Sequence, residues 1–271
     1  MTIRLIAIDI DDTLLNSQRQ LLPSTKASIQ KALEAGLKVV LCSGRPLAGV
    51  TPYLQALGIQ DHDQYVITYN GSVIETVTGD MIFKTGLSHE AYQAIDAYSK
   101  RYQLGYYVLD SQSQVYTSNL DVDPITVIQA YENQDGILIR EPEQVAKEVT
   151  MIKAAFGGTA EKLDQHEARV QKVFGHDNTV VRAAPRFLEI MAPGVDKGAA
   201  LSRLADHLHL SAQEVMAIGD ERNDIPMFNF AKTAVAMGNA SPAAKKRADF
   251  ITSSNDEDGI ALALEKFVFG K

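Results

Sequence analysis

The sequence predicts an α/β protein in which a parallel-sheet core is interrupted by an inserted α+β domain. Three observations carry this. Short apolar runs alternate with helical patterns at both ends of the 271-residue chain. Those runs are continuously hydrophobic instead of alternating, the mark of strands covered on both faces. The middle third breaks the rhythm with strands too close together for helical crossovers.

From the amino terminus, "IRLIAIDI" is a β-branched run, "SIQKALEAG" is a helical pattern closing on Gly36, and "LKVVLCSG" is a second strand. "PLAGVTPYLQALG" reads as a helix opening near Pro46 and stopping at Gly58, and "YVITYNG" as a third strand ending in a turn. The alternation returns late in the chain. A helix from about Lys197 to Leu208 precedes the strand "EVMAIG", a helix near Ile225 to Phe230 and the strand "TAVAM"; another helix, "DFIT" and a last helix from about Asp258 complete it. Between Gly86 and Pro185, "GYYVLD" and "QVYTSN" suggest a hairpin, and "MIKAAFGG" and "TVVRAAP" flank the helical stretch "AEKLDQHEARVQKVF". The expected division is therefore a core of residues 1–85 and 186–271 and a smaller inserted domain of residues 86–185, able to fold over the core.

Composition bounds the function. Hydrophobic residues make up 45% and charged residues 22%, ordinary for a soluble globular protein, and the net charge of -8 argues against a nucleic-acid binder. No apolar stretch approaches a membrane span or a signal-peptide core, so a cytoplasmic protein with no membrane partner is expected. The single cysteine, Cys42, lies in "LKVVLCS" and reads as a reduced core residue, in keeping with a reducing compartment. Nothing in the pattern speaks to oligomeric state.

In an open parallel sheet, ligands bind beyond the carboxyl ends of the strands. After the first strand comes "DIDDT", after the second "SGR", after the third "YNG", and after "EVMAIG" comes "DERND". Any one of these polar residues serves equally well as a helix cap or turn former; four strand ends so furnished do not. Asp9, Asp11, Asp220 and Asp224 would converge, and a hard divalent cation, Mg²⁺ in preference to Ca²⁺, is the simplest way to hold such a cluster against its own repulsion. With Asp9 and Asp11 two residues apart, one carboxylate can attack a ligand at phosphorus while the other moves protons for the leaving group. Lys197 at a helix start, where a cation is disfavoured without a nearby anion, and Ser43 with the Gly44 backbone amide, suit a phosphoryl group; a solvated lysine and an ordinary cap are the plain alternatives.

In order and placement, "DIDDT", "SGR", Lys197 and "GDERND" resemble the four motifs of the haloacid dehalogenase superfamily, and the whole chain resembles its Cof-type sugar-phosphate phosphatases. The resemblance implies a Rossmann-like core with a C2-type cap, Mg²⁺ dependence and hydrolysis of small phosphorylated metabolites through an aspartyl-phosphate. It implies Asp9 as nucleophile and Asp11 as general acid/base, and a metal site of Asp9, Asp11 or the backbone of its segment, and Asp220, with Asp224 in support. Ser43, Gly44, Lys197 and Asn223 would bind phosphate. An acid at position 11 favours a phosphatase over a dehalogenase. The chain departs from many relatives at Asp12, where they carry glycine; its side chain is expected to point away from phosphate, as a cap. A phosphomutase or phosphotransferase using the same intermediate, and a sugar-phosphate-binding regulator without turnover, are the alternatives. Against the regulator, every catalytic position is filled.

Tyr106, Tyr107 and Tyr116 read as core residues before substrate-facing ones. His207 and His209 in "DHLHLS" match no metal-binding spacing. An inserted domain acting as a lid would shield the intermediate, which places substrate choice in that segment.

Overall fold

The computed structural model describes residues 2–270 as two compact units. The first comprises residues up to Arg45, Val50–Phe83 and Asp196 onward; the second comprises Lys84–Val195 together with Pro46–Gly49.

The first unit is built on an eight-stranded sheet in the order Phe250–Ile251, Thr233–Ala236, Val215–Gly219, Leu5–Asp9, Lys38–Cys42, Tyr65–Thr68, Val73–Thr76, Met81–Lys84. The first six strands in that order run parallel, and Val73–Thr76 turns back antiparallel against Tyr65–Thr68. This is the parallel Rossmann-like core. Its central strand, Leu5–Asp9, is buried along its whole length because helices cover both faces of the sheet, which is why the run could be apolar at every position. Register aligns the functional ends: Asp9 pairs with Cys42, and Ile8 with Ile218, so Asp9, Ser43 and Asp220 emerge side by side at the carboxyl edge. The helix Leu47–Leu57 follows the second strand, and Lys197–His207 begins with the lysine of interest, capped by the Asp196 carboxylate accepting from the Ala199 amide at 2.7 Å.

The second unit is a six-stranded sheet in the order Thr179–Ala184, Phe187–Met191, Met151–Gly157, Gly105–Asp110, Val115–Thr117, Ile137–Ile139. Tyr106, Val108, Ala154, Phe156, Leu188 and Ile190 share one face by register and pack against Tyr92, Ile95, Tyr98, Leu163, Val170 and Phe174 of the helices His89–Tyr102 and Ala160–Phe174. The anticipated hairpin forms, with Val108 opposite Tyr116. One boundary and one element differ from expectation. Phe187–Met191, placed in the core by the sequence reading, is the second strand of this sheet, because "FLEIM" pairs between Thr179–Ala184 and Met151–Gly157. The helix Pro124–Asn133, capped by Asp123, was not among the elements read from the sequence. Tyr106, Tyr107 and Tyr116 are buried and donate their hydroxyls to Asp96, Gln129 and Asp110. No helix among the described residues is long and apolar enough to cross a membrane.

Candidate active site

The first strand ends at Asp9 and runs into a tight turn, Ile10–Leu14, closed by the Leu15 amide donating to the Ile10 carbonyl at 3.0 Å. Inside it Asp11 is extended and Asp12 is left-handed, with φ 59°. That φ is one glycine adopts freely, and Asp is among the few other residues that tolerate it. The Asp12 side chain is exposed and its carbonyl accepts from Asn239 Nδ2 at 2.8 Å, so the residue shapes the turn.

Lys197 is the centre of the site. Its side chain is fully buried, and Nζ donates to Asp9 Oδ1 at 2.5 Å and to Asp224 Oδ1 at 2.6 Å. Burial alone would lower the lysine's pKa, but the Asp224 and Asp9 carboxylates outweigh it and hold the ammonium charged. Asp224 turns its other oxygen to the amides of Asp220 and Glu221, at 2.9 and 3.1 Å, and so braces the loop "GDERND". This needs Gly219, where a Cβ would lie 2.5 Å from the Asp224 carboxyl. Asp220, partly buried, accepts from Thr13 Oγ1 at 2.8 Å.

Carboxylate oxygens of Asp9, Asp220 and Asp224 lie within 4.8 Å of one another. Burial pushes the Asp9 carboxyl well above the usual range; Lys197 pulls it back, and Asp224, Asp220 and Asp11 add to the rise. Burial, then Asp224, raise Asp220 to about 7. One ammonium does not balance three clustered acids, and a hard cation would. The donor set is all oxygen, which fits Mg²⁺, Mn²⁺ or Ca²⁺ and not a thiolate-seeking metal. Cys42, beside Asp9 on the neighbouring strand, is driven up by burial and stays a thiol.

Asp11 is not in that cluster. Its carboxylate is half exposed and pairs with Arg45, which donates from Nε at 2.9 Å and from Nη2 at 2.5 Å. The Asp11 side chain, expected among the metal ligands, therefore stands apart from the three acids that could hold a metal. Ser43 is buried, its Oγ accepting from the Arg45 amide at 3.1 Å. Gly44 packs against the Asn70 amide, and Asn223 Nδ2 donates to Asn70 Oδ1 at 3.3 Å. Asp9, Lys197, Asp220 and Asp224 thus form one cluster, with Ser43, Gly44 and Asn223 joined to each other through Asn70. Thr13, Arg45 and Asn70 escaped the sequence reading. Each stands inside a quoted motif, but nothing in the linear pattern says which partner it meets.

The haloacid dehalogenase-like hydrolase family matches residues 6–264. YxeH of Bacillus subtilis strain 168 is 35% identical over 269 residues, 99% of each chain. A haloacid dehalogenase-like hydrolase from Bacteroides thetaiotaomicron superposes with a TM-score of 0.87 at 32% identity, over 98% of this chain and 99% of that one. A sugar phosphatase of haloacid dehalogenase subclass IIB, BT4131, is similar at a TM-score of 0.82 and 26% identity, over 97% and 98% of the two chains.

Proposed function

The chain belongs to the haloacid dehalogenase-like hydrolases and is a phosphatase, and on that premise we propose that it is a Mg²⁺-dependent hydrolase of sugar phosphates working through Asp9. One observation carries the reading: a buried ammonium, Lys197, bridges a strand-end carboxylate, Asp9, and the loop acid Asp224 beside Asp220. The similarity to a sugar phosphatase supports the substrate class.

In this reading Asp9, Asp220 and the backbone of the Asp11 segment hold Mg²⁺, with Asp224 supporting. The ion supplies charge neutralisation between an anionic nucleophile and the phosphoryl oxygens. Ser43 Oγ, the Gly44 amide, Lys197 and Asn223 bind the phosphoryl group. An Asp9 oxygen attacks phosphorus while the bond to the leaving oxygen breaks, and Asp11 gives that oxygen its proton. A water then attacks the aspartyl-phosphate, Asp11 takes the proton, and the bond to Asp9 breaks. Inorganic phosphate leaves and Asp9 is restored.

The test is release of inorganic phosphate from a panel of sugar phosphates with and without Mg²⁺. Asp9→Asn should abolish metal-dependent release with the fold intact, whereas Asp12→Asn should change the rate far less. Equal losses in the two variants would remove Asp9 from the nucleophile's role, and transfer to a sugar hydroxyl without phosphate release would mark a mutase.

A further inference from the structure

Three separate segments carry the groups assigned to phosphate: Ser43–Gly44, Lys197 and Asn223. A fourth segment, which the reading leaves without a role, touches all three. The turn Tyr69–Gly71 follows the third strand of the core. The Asn70 amide donates to the Ser43 carbonyl at 2.9 Å, and the Tyr69 amide to the Arg45 carbonyl at 3.1 Å. The Asn70 side chain lies against Gly44 so closely that a Cβ there would stand 3.1 Å from Nδ2 and 3.3 Å from Oδ1. Asn70 Oδ1 accepts from Asn223 Nδ2. Gly71, with φ 103°, leaves no room for a side chain beside the carbonyl of Asp196, the residue that caps the Lys197 helix.

Position 70 asks for two properties at once. Its φ of 55° and ψ of 25° are left-handed, which Gly, Asn and Asp tolerate best. The residue is only 4% exposed, and its side chain must carry a hydrogen-bond acceptor aimed at Asn223. Glycine meets only the first requirement. Aspartate meets both but would set a negative charge beside groups assigned to an anion. Asparagine meets both without charge.

We propose that Asn70 is a positioning residue for the phosphoryl group, fixing the separation between the Ser43–Gly44 loop and Asn223. The proposal rests on the phosphatase reading and deepens it, because it names what holds the phosphate-binding groups at their spacing.

The experiment compares the Mg²⁺-loaded native chain with Asn70→Gly and Asn70→Asp, reading competitive inhibition by inorganic phosphate, KM and kcat on one ester, and the unfolding temperature. Asn70→Gly keeps the backbone conformation and removes the amide. Its inhibition constant for phosphate and its KM should rise together by about tenfold, the loss of one well-placed hydrogen bond with its packing, while kcat changes far less. Asn70→Asp should weaken phosphate more than Asn70→Gly despite its near-identical shape. Unchanged phosphate inhibition in a folded Asn70→Gly, or kcat falling with KM unchanged, would overturn the positioning role; if that variant does not fold, unchanged inhibition in Asn70→Asp would do so. A native chain that phosphate does not inhibit and that releases none from any ester would overturn the phosphatase reading itself, which the native control reveals before any variant is compared.

Discussion

Arg45 grips Asp11 by both carboxylate oxygens, Nε donating to Oδ2 and Nη2 to Oδ1. The guanidinium in turn lies 5.6 Å from the centre of the Tyr53 ring. Such a fork fixes direction as well as distance. With the Asp11 side chain 49% exposed, the pair adds little to stability. Its consequence is positional: in the proposed mechanism the fork presents the Asp11 carboxyl to the leaving oxygen from a fixed direction.

Arg45→Met should therefore act through proton transfer. Hydrolysis of an alkyl phosphate, whose departing alkoxide needs a proton, should fall by on the order of tenfold or more. Hydrolysis of p-nitrophenyl phosphate, whose leaving group departs well without one, should fall much less. Steady-state rates on the two esters decide the matter, and equal losses would show that Arg45 does not work through Asp11.

Lys197→Met leaves Asp9 and Asp224 buried without their cation. Removing one partner of a buried ion pair costs about 3–5 kcal/mol. The variant should be inactive, and in chelator-treated protein its denaturant midpoint at neutral pH should drop accordingly. Part of that loss should return on acidification, because the Asp9 carboxyl, pushed up by burial, can then be neutral. A midpoint equal to the native one would mean that the lysine's charge is not needed to hold the acids together.

The acid cluster makes stability depend on pH in a direction opposite to that of a salt-bridged surface carboxylate. Asp220, raised to about 7 by burial and then by Asp224, binds its proton more tightly folded than unfolded. Its contribution is therefore full below the unfolded carboxyl's range near 4 and is lost as pH rises through about 7. Metal-free native protein should lose thermal stability relative to Asp220→Asn across that interval. Added Mg²⁺ should recover more at pH 8 than at pH 5, since only ionised carboxylates ligate it. A native-minus-variant difference flat from pH 4 to 8 would contradict this.

How much of this was legible beforehand follows from what each feature depends on. The strands of the core could be read because being covered on both faces writes continuous hydrophobicity into "LIAID" and "VMAIG". The site could be read because polar residues gather at four strand ends at once, where a cap or a turn would account for any one but not for all. Which acid meets which partner could not: Asp11 lies two residues from Asp9, yet it turns to Arg45 while Asp9 turns to Lys197, a choice made by the extended and left-handed backbone at positions 11 and 12. Asn70 was quoted within "YNG" and passed over, because its meaning rests on Gly44 and Asn223, which are distant in sequence. The inserted unit was least legible, since its strands alternate between an apolar face and one bearing charge, and "FLEIM" reads as well in either sheet.

That charged face yields the last prediction. Lys153 and Glu189 stand on adjacent antiparallel strands, Met151–Gly157 and Phe187–Met191, and by register on the face opposite Phe156 and Leu188. Nζ lies 2.6 Å from Oε1, and the side chains are only 3% and 5% exposed. Taking two charges out of water costs several kcal/mol per ion, and their mutual attraction returns it only while both are present. Lys153→Met should therefore destabilise the protein by about 3–5 kcal/mol, and Glu189→Leu similarly, each removing the counter-charge 2.6 Å from the other's buried group. The double variant removes both charges and fills the same volume with apolar atoms, so it should regain most of what either single change loses. Thermal unfolding of the native chain, the two single variants and the double variant measures the coupling directly. Losses that simply add would mean that the two side chains, close as they are, contribute independently.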